Sequence, residues 1–194
     1  MKVAVISTSP RQGSNSLKVA KYIQSQVLAL GVSEVSIANF EEIDIPMVGR
    51  GSLDQDNLTP FQQNLLKVWG EADIVIFTVP EYNWITSGEL INAMHQLGGS
   101  PFAHLFNNKV FAFAGVSSGR GGRMPCLEMT TLTNKLISFL YQHSIVSPKL
   151  FESHETGNNL TDNGESTGNK IYEKGVSDFV QYTLRIAKQW HGAL

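Results

Sequence analysis

The stretch that most constrains the fold is Ile74-Val75-Ile76-Phe77-Thr78-Val79. It is almost wholly apolar, rich in β-branched side chains and too short for a buried helix, so it reads as a buried strand. Directly behind it stands Pro80-Glu81-Tyr82-Asn83, and after Gly88 a helix-like segment runs from Glu89 to Leu97. A strand ends, the chain turns at a proline, and a helix begins. In an open parallel sheet, ligands bind in the crevice outside the carboxyl ends of the strands. An acid, an aromatic and an amide on a rigid turn there are a candidate lip of a ligand site, although Pro and Asn are also ordinary turn formers. The rest of the chain decides between the two readings.

The same alternation recurs along the sequence. Val3 to Ile6 is a first strand, apolar on both faces, and the turn from Ser7 to Ser16 leads into Leu17, Ala20, Ile23, Val27 and Leu30 at helical spacing, stopped by Gly31. Val35 to Phe40 alternates like a second strand, and residues 41–58 form a long polar connection. Thr59-Pro60 is a helix start, with a capping hydroxyl before proline at the first helical position, and its helix runs to about Trp69 with Phe61, Leu65 and Trp69 facing the core. Lys109 to Val116 is a fourth strand, and Leu127, Leu132, Leu136 and Leu140 mark the next helix. Ser144 to Phe151 is a fifth strand broken by Pro148, the polar stretch from Glu152 to Asn169 is loop, and Ile171 to Ile186 lies on a last amphipathic helix. Strands alternating with helices predict a doubly wound α/β domain, three layers with five parallel strands in the order 2-1-3-4-5, the flavodoxin-like arrangement. No repeat or composition break marks a second domain, so residues 1–194 are expected to form one.

Composition narrows the function. With 42% hydrophobic and 16% charged residues the chain is globular, and a net charge of −2 gives a polyanion no general attraction, so nucleic acid is not expected as a partner. The one cysteine, Cys126, permits no intrachain disulfide and no multi-cysteine metal site; as a small residue after a glycine loop it is expected to be buried. His143, His154 and His191 have no ligand-like spacing, so no metal is expected, and His95 reads as a surface or packing residue. No apolar run reaches signal-peptide or transmembrane length, which with the lone cysteine points to a cytoplasmic protein without a membrane partner.

In the expected topology, the loops after strands one, three and four gather at the point where the strand order reverses. The first loop holds Ser9, Arg11, Ser14, Asn15 and Ser16 at the start of a helix, where free N–H groups, hydroxyls and a guanidinium suit a phosphate. It has neither the dinucleotide-binding nor the nucleoside-triphosphate glycine pattern. The loop after strand four carries Ser117 and glycines at 119, 121 and 122, which let backbone approach a flat ligand. A mononucleotide with a planar ring suits all three loops, and FMN is the candidate.

At these three motifs, Ser9-Pro10-Arg11-x-x-Ser14-Asn15-Ser16, Pro80-Glu81-Tyr82-Asn83 and Ser117-x-Gly119-x-x-Gly122, the chain resembles the NADPH-dependent FMN reductases and their quinone, azo-dye and chromate reductase relatives. The resemblance runs from the first strand to about residue 140 and, more loosely, to Asn159-Leu160-Thr161-Asp162. It implies that Ser9, Arg11, Ser14, Asn15 and Ser16 bind the FMN phosphate. It implies that Pro80, Glu81, Tyr82, Asn83, Ser117, Gly119 and Gly122 line the isoalloxazine. It also implies a homodimer or homotetramer, NADPH or NADH as co-substrate, and small-molecule electron acceptors. The chain departs from the family where a small residue and a proline-glycine pair usually follow Asn: it has Trp84-Ile85-Thr86-Ser87-Gly88. Trp84 stands where the ring edge or substrate belongs; it either folds over the ring, which the short turn before it favours, or turns outward to pack on a neighbouring subunit. Phe102, Leu105 and Phe106 form an apolar cluster expected at a subunit interface. Of two flavin-based readings, hydride transfer from NAD(P)H in two steps and partner-docking electron carriage of the flavodoxin type, the near-neutral charge favours the first, since such carriers are acidic. No side chain is assigned as a catalytic acid.

Overall fold

The computed structural model describes residues 1–192. Its strands are β1 (Lys2–Ser7), β2 (Glu34–Asn39), β3 (Ile74–Pro80), β4 (Val110–Val116), β5 (Ile145–Val146) and β6 (Phe151–Ser153). Its α-helices are α1 (Asn15–Ala29), α2 (Pro60–Glu71), α3 (Gly88–Leu97), α4 (Arg123–Phe139), the single turn α5 (Thr156–Asn159) and α6 (Lys170–Trp190). All strand pairs are parallel and the order is β2-β1-β3-β4-β5, as the sequence predicts.

The fifth strand differs from its expectation. Proline has no N–H for a ladder bond, and Pro148 divides the strand into two short pieces on the same edge. β5 pairs with Val110 and Phe111, and β6 with Ala114 to Val116. The stretch read as loop from Glu152 onward therefore contains the end of β6 and the turn α5.

Successive residues of a strand face opposite sides of the sheet, and here both sides are covered. Ala4, Ile6, Val75, Phe77, Phe111 and Phe113 pack under α2, α3 and α4, while Val3, Val5, Ile74, Ile76, Ala112 and Ala114 pack under α1 and α6. The first core is aromatic: Trp69 meets Phe77 and Phe106 edge-on at centroid distances of 5.1 and 5.3 Å, and its Nε1–H donates to the Leu105 carbonyl at 2.6 Å. Each such ring pair contributes about 0.5–1.5 kcal/mol beyond its buried area. This packing corrects the interface expectation for Phe102, Leu105 and Phe106. All three are buried, on a 3₁₀ segment (Ser100–Phe106) that closes the core beside Trp69.

Two polar devices set the frame of the site. Thr59 and Gln62 form a reciprocal capping box at the start of α2. On α3, the Asn92 and Gln96 side chains bond the backbone of Pro46, Val48 and Gly51, so the long connection after β2 lies pinned against that helix. No described helix is long and apolar enough to cross a membrane.

Candidate functional site

The carboxyl ends of β1, β3 and β4 open into a cleft lined by Ser9, Arg11, Ser14, Asn15, Ser16, Pro80, Glu81, Tyr82, Val116 and Ser118. The first loop is fixed to the third strand from several directions. Thr8 donates both its N–H and its hydroxyl to the Thr78 carbonyl, at 3.2 and 3.0 Å. The Thr78 hydroxyl donates to the Ser16 carbonyl at 2.9 Å. Ser87 caps α3 by accepting the Leu90 N–H, and its own hydroxyl donates to the Thr8 carbonyl at 3.1 Å. The Thr86-Ser87 pair that departs from the family pattern thus ties the second loop to the first. The neighbouring Thr86 N–H donates to the Glu128 carboxylate on α4.

Within this frame, Ser14 is the N-cap of α1; its Oγ accepts the Leu17 N–H at 3.1 Å, which leaves the hydroxyl proton to donate elsewhere. The N–H groups of Asn15 and Ser16, first in the helix, have no intrahelical acceptor. The first turn of α1 carries no acid. Tyr82 reaches across: its hydroxyl lies 2.9 Å from Ser9 Oγ, and the Arg11 guanidinium sits 4.4 Å from the centre of its ring. Hydroxyls, open N–H groups and one guanidinium, with the carboxylate of Glu81 bound elsewhere, form a donor set that fits a phosphate monoester. FMN therefore fits this end of the cleft.

The structure gathers the five first-loop residues with Pro80, Glu81 and Tyr82. It does not bring the remaining expected residues to the cleft wall. Asn83 and Trp84 occupy a tight turn with positive φ of 52° and 76°, closed by hydrogen bonds in both directions between Tyr82 and Ile85. Trp84 is 75% exposed and is not among the residues that line the cleft. Ser117 is taken up by the tail. Its N–H donates to Ser153, its carbonyl accepts from Thr156, and its hydroxyl accepts the Gly119 N–H. Gly119 and Gly122 are not wall residues either; Val116 and Ser118 are. Sequence reading passed over those two, although Val116 is the in-register neighbour of Pro80 and so had to lie at the same sheet edge.

The surrounding candidates sort themselves by partners. Asp162, in the tail motif, pairs with Lys18 on α1 at 2.7 Å and stands apart from the cleft. Arg123 pairs with Glu152 at 3.0 Å. Cys126 is buried, and burial, followed by the charge of Glu152, pushes its thiol up to about 12, so it is no nucleophile at neutral pH. Among the described residues no cluster of His, Cys, Asp or Glu suits a metal ion.

The comparisons with known proteins agree with this geometry. The chain is 26% identical over 179 residues to a protein of Oryza sativa subsp. japonica described as "Probable NADPH:quinone oxidoreductase 2", covering 90% of this chain and 83% of that one. It is 31% identical over 126 residues to an NADPH azoreductase of Bacillus sp. (strain OY1-2), where the match spans 63% of this chain and 62% of that protein. Among solved structures, the flavoenzyme NAD(P)H:(acceptor) oxidoreductase FerB of Paracoccus denitrificans superposes with a TM-score of 0.66 over 95% of this chain and 97% of its own; at 19% identity it speaks to the fold. The family model described as NADPH-dependent FMN reductase matches residues 1–146, a span that contains all three cleft loops, and the chain belongs to that family.

Proposed function

We propose that the chain holds FMN in this cleft and uses it to carry electrons from NADPH to small planar acceptors of the quinone or azo class, in two successive half-reactions on one exposed face. The observation that carries the reading is the convergence of a donor set whose helix start has no acid, at α1, with Pro80, Glu81, Tyr82, Val116 and Ser118 across the same cleft. When bound, FMN takes hydride from a nicotinamide and returns the electrons to an acceptor, chemistry that no side chain here supplies. The protein contributes binding and orientation. Arg11 and the hydroxyls of Ser9, Ser14 and Ser16 hold the phosphate, aided by the first N–H groups of α1. The ends of β3 and β4 flank the ring. The acceptor class follows the named relatives, a quinone oxidoreductase and an azoreductase. Self-association belongs to the same reading: Trp84 and Ile85 on the turn, and Met124 and Leu127 at the start of α4, are exposed apolar groups on elements joined by the Thr86–Glu128 bond.

The test is direct. Purified protein saturated with FMN is mixed anaerobically with NADPH, and then with a quinone. Bleaching of the flavin absorbance near 450 nm followed by recovery on addition of quinone is the expected result. Bound FMN that NADPH does not bleach would leave an electron carrier, and no FMN binding at all would sink the reading.

A further inference from the structure

The glycines of the loop after β4 are explained by a residue forty positions earlier. The Gly122 N–H donates to the Glu81 carboxylate. A Cβ on Gly121 would stand inside the contact distance of both oxygens of that carboxylate. Gly122 has φ of 101°, left-handed backbone that glycine adopts freely, and its carbonyl lies against Gly115, next to the last residue of β4, where a Cβ would overlap it. Gly119, by contrast, has open space around it. Glu81 is itself anchored to β4, since its N–H donates to the Val116 carbonyl at 2.9 Å. Gly122 is also the N-cap of the seventeen-residue helix α4 and has no side chain with which to cap it. The Glu81 carboxylate takes the N–H of that N-cap residue, the bond the carboxylate of a capping box makes, but from another loop and at the positive end of the helix.

We infer that Glu81 is a positioning residue of the cleft: its carboxylate clamps the loop 117–122 onto the end of β4, and Gly121 is glycine to admit that carboxylate rather than a ligand. Ser118 then faces the cleft, beside Val116 at the end of β4, because the loop that carries it is held from behind. This rests on the FMN reading for its consequence on binding, but the clamp itself is testable without a cofactor.

Four variants test it: Glu81→Gln, Glu81→Ala, Gly121→Ala and the double variant Glu81→Ala/Gly121→Ala. FMN affinity is read by quenching of flavin fluorescence, and thermal stability is read on the cofactor-free proteins. Loss of one hydrogen bond to a charged acceptor weakens binding by about tenfold, which is the effect expected of Glu81→Ala. Glu81→Gln keeps an acceptor oxygen and is expected to restore affinity to within about threefold. Gly121→Ala alone is expected to lose stability and affinity together, because its methyl displaces the carboxylate. In the Glu81→Ala background the same methyl meets no carboxylate, so the double variant is expected to be no worse than Glu81→Ala. Additive losses in the double variant, or a glutamine variant as impaired as the alanine one, would overturn the clamp. If wild-type protein fails to bind FMN, the stability cycle still decides the clamp, and only the cofactor reading falls.

Discussion

Replacing Trp84 with glycine is expected to stabilise the protein, although tryptophan is the larger apolar residue. Asn83 and Trp84 are the two central residues of a turn closed by Tyr82 N–H to Ile85 O at 2.7 Å and Ile85 N–H to Tyr82 O at 3.3 Å, both with positive φ. That is the type I′ pattern, for which Asn-Gly is the preferred pair. Asn83 is comfortable there; a bulky side chain at φ 76° is not, and left-handed backbone costs a residue with Cβ roughly 1–2 kcal/mol. Little is lost in return, because the indole is 75% exposed. Glycine gives back roughly 0.4–1 kcal/mol through the greater freedom of the unfolded chain. The net gain is about 0.5–1 kcal/mol, a rise in Tm of roughly 1–4 °C for a chain of this size. The assay is thermal and urea denaturation of the cofactor-free monomer at low concentration. Trp84→Ala is the control, since it removes the indole and keeps the backbone strain. Equal stabilisation by alanine and glycine, or a loss with glycine, would refute the strain argument. Sedimentation of the same glycine variant at micromolar concentration reads whether the exposed indole instead earns its place by docking a second copy.

Arg11→Ala is expected to leave Tm within error and weaken FMN binding tenfold to a hundredfold, on the order of 1.5–3 kcal/mol for a charge-assisted phosphate contact; unchanged affinity in a fluorescence titration would remove Arg11 from the site. Lys109 is buried, donates its ammonium to the Gly70 and Ala72 carbonyls at 2.9 and 2.6 Å, and burial pushes it down to about 8 from 10.5. With the folded pKa the lower one, the unfolded chain binds the extra proton, so the penalty is full below pH 8 and fades as pH rises towards 10.5. Measured against Lys109→Met, which does not titrate, the wild-type protein should gain up to roughly 3 kcal/mol between those limits, and a pH-independent difference would count against this.

The sheet order was legible because its signals are local. Apolar runs, helical spacing and the capping pair Thr59-Pro60 each speak within a dozen residues, and the order β2-β1-β3-β4-β5 follows once strands and helices alternate. What failed depended on partners remote in sequence. Phe102, Leu105 and Phe106 announce themselves as apolar, but only the position of Trp69 across the core says that they are covered rather than exposed. Pro148 was seen to break the fifth strand, yet that the chain would rejoin the same edge as β6 depended on free backbone at Ala114 to Val116. In the site, the five first-loop residues were legible because they follow one strand and open one helix. At Trp84 the sequence showed the size of the side chain but not the left-handed backbone that carries it.

Under the proposed reading, the acids around the cleft favour one direction for a mononucleotide in it. The helices that follow β1, β3 and β4 each present an N-terminus near this sheet edge, and each is a place where a dianion is favoured unless the protein supplies its own negative charge. At α4 it does: the Glu81 carboxylate takes the Gly122 N–H. At α3 it also does, with Ser87 as cap and Glu89 in the first turn. At α1 the first turn has no acid, and the loop before it brings Arg11; the nearby Glu41 is spent outside the cleft wall on the Gly13 N–H at 2.8 Å. A phosphate is thus drawn to α1 and repelled from the other two. With the phosphate there, the planar end of the ligand runs along the wall formed by Pro80, Glu81 and Tyr82 on one side and Val116 and Ser118 on the other. The orientation follows from the carboxylates of Glu81 and Glu89 at two helix starts and the lack of an acid in the first turn of α1.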